Sequence, residues 1–257
     1  MNTVAMHYDS HLGPVYAWMM GNPQAALARS TAELEEMGLP GAPHLKALDL
    51  GAGLGLHSLA LAKRGFSVTA IDSCRVLLDE LRGRAAGLPI TVVHGDMLEF
   101  RSHEPDRCDV IICMGDTLTH LPSFAAVESL LNSIAGALTE QGMFAATFRD
   151  YASSPPAGTE RYILVKRDES RILTCFLEYG TEHVTVHDVL TQREDDRWIQ
   201  RESSYPKLRL APEQVLAKLE ALGLSARRET APSGMVRIVA RSASNLEKGA
   251  TQQTAKL

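Results

Sequence analysis

Gly51, Gly53 and Gly55 stand at alternate positions after the apolar run Leu48-Asp49-Leu50, and a carboxylate, Asp72, closes the next apolar run, Phe66-Ser67-Val68-Thr69-Ala70-Ile71. Glycines in such a turn let the backbone come close to a ligand that side chains would hold off. An acid at the end of the second strand can accept hydrogen bonds from both hydroxyls of a ribose. The expectation is a nucleoside cofactor, cradled by Gly51, Ala52 and Gly53 on one side and by Asp72 and Ser73 on the other. The spacing argues against two other nucleotide sites. A dinucleotide turn needs Gly-x-Gly-x-x-Gly, whereas the sixth position here is Leu56 and the third glycine comes one residue early. No Gly-Lys-Ser/Thr follows, so the turn is not a P-loop.

Further chemistry lies after the next apolar runs. Gly95-Asp96-Met97 sets a carboxylate beside a long soft side chain, a pair able to accept the amine of adenine and to pack on its face. Met114-Gly115-Asp116-Thr117-Leu118-Thr119-His120-Leu121 offers a close backbone approach at Gly115, then acceptors, donors and a titrating imidazole. Arg149-Asp150-Tyr151 and Ser204-Tyr205-Pro206-Lys207-Leu208-Arg209 come at the ends of later runs. Arg149, Arg161, Tyr205 and Arg209 are candidate substrate contacts, and Arg161, Arg209 and Arg237 could bind a substrate carboxylate as paired donors. His120 is a candidate base or substrate anchor, Asp116 a base, a partner for a cationic substrate or a brace for its loop, and Tyr151 a hydrogen-bond donor. His183 and His187 lack a third metal ligand in view, so no metal is expected.

All of these positions must be brought to one place, and the hydrophobic pattern supplies a way. From residue 44 short apolar runs near 45–50, 66–72, 90–94, 109–114 and 143–148 alternate with amphipathic helices near 55–64, 74–86 and 123–138. Such alternation makes a parallel sheet with helices on both faces, and its ligand sits beyond the carboxyl ends of the strands. Residues 161–209 break the rhythm with four strand-like pieces joined by charged turns, the pattern of an inserted antiparallel sheet. A helix opened by Pro212 and two strands, near 224–230 and 235–241, return to the main sheet. The expected class is α/β: a Rossmann-like, doubly wound, seven-stranded sheet with an antiparallel β cap after strand five. The expected divisions are a lid and helix over 1–43, a core over 44–150, the cap over 151–210, a return to the core over 211–243 and a disordered tail over 244–257. The leader concentrates aromatics (Tyr8, Tyr16, Trp18) in a chain with only 5% of them, which suits either a lid or a helix packed on the sheet edge.

Composition narrows the partners. The formal charge is −5 and no Lys/Arg run exceeds two residues, which disfavours a nucleic-acid reader. The four cysteines form no Cys-x-x-Cys pair, and no apolar stretch approaches the ~18 residues of a membrane span. With neither a basic start nor an apolar leader core, the expectation is a cytoplasmic protein without a membrane partner.

The spelling Leu-Asp-Leu-Gly-x-Gly-x-Gly over 48–55, with Asp72 after it, resembles class I S-adenosylmethionine (SAM) methyltransferases. The 114–121 loop is similar to the Gly-Asn-Ser-x-x-His-Leu loop of their glycine N-methyltransferase-like, small-molecule branch. The resemblance implies SAM as cofactor, S-adenosylhomocysteine as product, and methyl transfer to a nitrogen or oxygen of a small amine or amino-acid-like metabolite. It implies a leader closing over SAM through Tyr8, Trp18 and Arg29, the arginine holding the SAM carboxylate, with Met97, Met114 and Gly115 also at the cofactor. The inserted sheet is a feature of that branch too, and its free edge leaves a homodimer open. Asp116 departs from the branch's asparagine, so glycine does not follow as substrate. A SAM-binding regulator without turnover, or a protein methyltransferase, would share the same cofactor residues.

Overall fold

The computed structural model describes residues 3–41 and 43–242, so the expected tail over 244–257 lies outside the described residues. The leader is helical: α1 (Thr3–His7), one wider π turn (Tyr8–Leu12), α2 (Gly13–Met20) and α3 (Pro23–Glu36). Asn22 caps α3, its side chain accepting the Ala25 amide, and Pro23 takes the first helical position. The core then alternates as β1 (Lys46–Leu50), α4 (Leu56–Lys63), β2 (Ser67–Asp72), α5 (Arg75–Arg84) and β3 (Ile90–His94). It continues with α6 (Phe100–His103), β4 (Cys108–Cys113), α7 (Phe124–Ala137) and β5 (Leu138–Phe148). The insert is β6 (Tyr162–Arg167), β7 (Arg171–Tyr179), β8 (His183–Glu194) and β9 (Arg197–Leu208); α8 (Pro212–Ala221), β10 (Leu224–Thr230) and β11 (Val236–Ser242) complete the chain.

The main sheet has the order β10-β11-β5-β4-β1-β2-β3, with β11 antiparallel to β5 and to β10. Strands β1 and β4, the apolar runs buried on both faces, lie side by side at its centre. The chain leaves β1 toward β2 on one side and returns from β3 to β4 on the other, so the strand order reverses between β1 and β4. A crevice opens at that reversal, beyond the carboxyl ends. Helices α7 and α8 cover one face through Leu130, Leu131, Ile134, Val215 and Leu219. The end of α3 with α4 covers the other, through Leu34, Met37, Ala60 and Leu61.

The cap is the antiparallel sheet β6-β7-β8-β9. Its β9 strand, legible in sequence only as a piece at 198–201, runs for 12 residues and pairs with β8 over its whole length. Over residues 183–190 of β8 burial alternates: Val184, Val186, Asp188 and Leu190 point inward. The leader seals that inward face. Val4 packs with Leu177, Val184, Val186 and Tyr205, and Leu12 and Val15 pack with Leu173 and Leu190. On its other side Tyr8, Tyr16 and Met20 meet Leu54, Leu56 and Leu77 of the core. The leader is therefore a wedge between cap and core. No helix among the described residues is long and apolar enough to cross a membrane.

Candidate active site

Three turns at strand ends build the floor of a cavity of about 600 Å³, within the range of small-molecule and cofactor sites. After β1, Gly51, Gly53 and Gly55 all have positive φ (74°, 55° and 70°), a region that side chains rarely adopt. A Cβ on Gly51 would lie 2.2 Å from the Thr117 methyl, and one on Gly55 2.2 Å from Leu81. The glycines thus allow close packing as well as ligand approach. After β2, the Asp72 carboxylate accepts the Gly53 amide at 2.8 Å and the Cys74 amide at 2.7 Å. One acid therefore ties the glycine turn to the start of α5. Burial pushes its carboxyl up, against the pull of those two amides. After β3, Asp96 accepts the Leu98 amide at 2.9 Å and caps the short 3₁₀ turn Met97–Glu99.

The fourth turn follows β4. Gly115 and Asp116 both have φ of 73°, and the 3₁₀ turn Thr117–His120 starts from them. The Gly115 amide donates to Thr147 Oγ1 and the Asp116 amide to the Thr147 carbonyl, each at 2.9 Å. These bonds fasten the turn to β5. His120, at its end, is half-buried beside Tyr8 of the leader, whose hydroxyl lies 3.3 Å from His120 Nε2. The Nδ1 atom is buried with no hydrogen-bond partner among the described residues. Burial, together with the Lys207 ammonium, pushes the imidazole down to about 3, so the ring is neutral.

Of the sequence-derived cofactor positions, Tyr8, Gly51, Ala52, Gly53, Asp72, Ser73, Asp96, Met97, Met114 and Gly115 line this one cavity, and so does His120. Trp18 and Arg29 do not line it. The Trp18 indole N–H donates to Asp168 in the β6–β7 turn, and Arg171 lies over its ring at 5.1 Å. The cavity is lined instead by Tyr16, two residues earlier. Positions two apart on a helix point about 200° away from each other, so α2 presents only one of its two aromatics to the cavity. Arg29 is exposed, 3.4 Å from the Met20 carbonyl, while the next residue, Ser30, faces in.

Asp116 is also no free base. It is 5% exposed, and its carboxylate is saturated by the Lys207 ammonium, the Arg149 amide at 2.9 Å, the Tyr151 hydroxyl at 3.2 Å and Thr119 Oγ1 at 3.1 Å. Burial alone would raise its carboxyl; Lys207 and the Arg149 amide outweigh that and hold it below the usual carboxylate range. Tyr151 is spent on this bond, and burial pushes its hydroxyl far up, so it is not a proton source. Tyr205 lies behind the site, its ring 5.5 Å from that of His120.

The candidate substrate arginines are held elsewhere. Arg209 donates to the carbonyls of Tyr151 and Gly180 at 2.9 Å and of Ala152 at 3.3 Å, bolting the start of the insert to its β7–β8 turn. Arg161 lies 6.0 Å from the Phe176 ring, and the Arg149 side chain is exposed 3.7 Å from Asp116. Sequence reasoning did not select Tyr16, Asp9, Ser30 or Lys207. For Lys207 a signal was present: on a strand it shares a face with Tyr205, so both turn inward. No cluster of three metal-ligating side chains occurs among the described residues.

Residues 47–142 match a family model described as a methyltransferase domain. That segment is similar to a methyltransferase domain, and the chain as a whole has an α/β, Rossmann-like fold with an antiparallel cap. Over 108 residues it is 29% identical to a glycine/sarcosine N-methyltransferase of Aphanothece halophytica; the match covers 41% of each chain. The fold likeness runs further. The CcbJ methyltransferase of Streptomyces caelestis superposes with a TM-score of 0.75 at 20% identity, over 94% of this chain and 98% of that one. CalS10, an amino pentose methyltransferase of Micromonospora echinaspora, gives 0.69 at 18% identity over 91% and 97%.

Proposed function

We propose that the protein is a SAM-dependent methyltransferase acting on a nitrogen or oxygen of a small molecule, with an amine preferred. The observation that carries this reading is the convergence of Gly51, Gly53, Asp72, Asp96 and Gly115 on one cavity, together with Tyr8 and His120. These residues fit a nucleoside cofactor. Gly115 has positive φ, and a Cβ there would meet no atom within 4 Å, so a side chain would occupy the space left for a ligand. Asp72 would hold the ribose, Asp96 the adenine amine and Met97 its face. When bound, SAM supplies an electrophilic methyl on sulfur, so the protein's share is alignment and exclusion of water.

His120 and Tyr8 stand where the acceptor would be aligned. A neutral imidazole presents a lone pair to the N–H of an amine, and the Tyr8 hydroxyl braces the ring. Burial holds the Tyr8 hydroxyl well above its ordinary value, so it stays protonated and keeps that role. An amine attacks only as the free base. With His120 neutral across the physiological range, proton loss from the amine itself sets the pH at which reaction starts. A second copy of the chain on the outward face of the cap, where Tyr162, Leu164 and Trp198 are exposed, belongs to the same reading.

The test is methyl transfer from labelled SAM to a panel of amines, amino acids and phenols, with His120→Gln beside the wild type. The expected result is turnover with an amine, rising with pH without a step near 6.5, and slowed about 10²-fold or more by His120→Gln. SAM binding without transfer to any acceptor class would leave a SAM-binding regulator instead.

A further inference from the structure

Lys207 enters the molecule from the cap, yet its ammonium ends inside the core. It is 6% exposed and pairs with Asp116, which is 5% exposed. Its ammonium lies 5.8 Å from the Tyr151 ring and 5.9 Å from the Tyr205 ring. Asp116 in turn opens the turn that carries His120, in a left-handed conformation that aspartate tolerates and most residues do not. Through Thr119, Arg149 and Tyr151 the same carboxylate ties that turn to the segment beyond β5. One side chain of the cap thus reaches the four-way junction on which the His120 turn is built.

We propose that Lys207 is a positioning residue for the transfer step: from the cap it locks Asp116, and through Asp116 it holds the Thr117–His120 turn at the cavity. This rests on the methyltransferase reading above and adds to it a residue that touches neither substrate nor cofactor. The pairing also accounts for aspartate at 116. An asparagine could make the turn and accept the Arg149 amide, but would leave a buried ammonium without a counter-charge. The groups facing His120 are Tyr8 and His7 of the leader, Tyr205 and Lys207 of β9, and Asp116 of its own turn. Among these Lys207 disfavours a proton on the imidazole and Asp116 favours one. Burial is the main reason the ring is neutral; the pair holds its place and acts on its charge in opposite directions, Lys207 against a proton and Asp116 for one.

Two variants separate positioning from a merely structural ion pair. Asp116→Asn/Lys207→Met removes both charges, keeps the acceptor for the Arg149 amide and leaves no unpaired buried ion. Here kcat should fall about tenfold or more, as small misplacements at a reacting centre do, while SAM affinity by calorimetry stays within about twofold. In Lys207→Met alone, Asp116 faces His120 without its buried counter-ion, and only the exposed Arg149 guanidinium, 3.7 Å away, is left to balance it. NMR of imidazole-labelled protein, with the His120 signal assigned through His120→Gln, should then show about tenfold or more tighter proton binding at His120. This readout needs no acceptor, so it stands even where the turnover screen fails. Wild-type kcat and KM in the double variant, or an unmoved His120 titration in Lys207→Met, would overturn the proposal.

Discussion

His120 and Asp116 are four residues apart and meet opposite fates. His120 lines the cavity and has a buried Nδ1 with no hydrogen-bond partner among the described residues, whereas both carboxylate oxygens of Asp116 are engaged. The His120 environment has a consequence for stability. In the unfolded chain an imidazole titrates near 6.5; in the folded protein burial, with the Lys207 ammonium, pushes it down to about 3. Between those values the unfolded state binds a proton that the folded state refuses, so acidification costs stability, by up to about 1.4 kcal/mol per pH unit. The contribution is fully present above about 6.5 and is lost as pH falls toward 3. Urea unfolding at pH 7.0, 5.5 and 4.5 should give a flatter dependence for His120→Gln than for the wild type. The lowered Asp116 carboxyl acts below this window, and the raised Asp49 and Asp72 carboxyls act equally on both proteins. Equal slopes would mean that the imidazole titrates normally in the folded state.

Turns and strands decide what each residue can do. Gly55 and Gly115 both have φ of +70° or more, but only Gly55 is crowded, by Leu81 of α5. Gly55→Ala should cost about 1–3 kcal/mol of stability, read from chemical denaturation. Gly115→Ala should cost about 1 kcal/mol for its backbone and weaken SAM binding more than it weakens the fold. A second element-level prediction concerns the cap. Arg209→Ala removes donors from four carbonyls, those of Tyr151, Ala152, Gly180 and Thr181. Hydrogen exchange should then quicken at residues 151–152 and 180–181 before it quickens in β1 or β4.

How legible these elements were follows from their periodicity. The strand–turn–helix of 46–63 and the strand ends at Asp72 and Asp96 could be read because each is a local pattern. The choice between Tyr16 and Trp18 depends on the rotation of α2, and the reach of β9 on its pairing with β8; neither is local. Lys207 escaped because charge in a strand suggests solvent; its shared face with Tyr205 hints at burial, and the position of Asp116 accounts for it. Trp18, Arg29 and the arginines of the cap have the right chemistry for anion binding. Packing spends them on Asp168, on backbone carbonyls and on aromatic rings.

At the scale of the molecule, the sequence match and the fold match differ in extent. The methyltransferase model covers residues 47–142, and the match to the Aphanothece relative spans 41% of that protein, whereas the fold likeness extends over 94% of this chain. The floor of the cavity lies within the matched segment. The leader and the cap, which bring Tyr8 and Lys207 to it, lie outside. The central claim is therefore cofactor recognition at the Asp72 end of that floor. The direct measurement is calorimetric titration of wild type and Asp72→Ala with SAM, S-adenosylhomocysteine and NAD, with a thermal melt of each protein as control. Asp72 also holds the Gly53 and Cys74 amides, so the variant must melt cooperatively to be counted. Micromolar binding of SAM and S-adenosylhomocysteine is expected, and none of NAD. The folded variant should lose about 1–3 kcal/mol, roughly tenfold to a hundredfold in Kd. Binding of NAD in place of SAM, or SAM affinity unchanged by Asp72→Ala, would contradict the central claim.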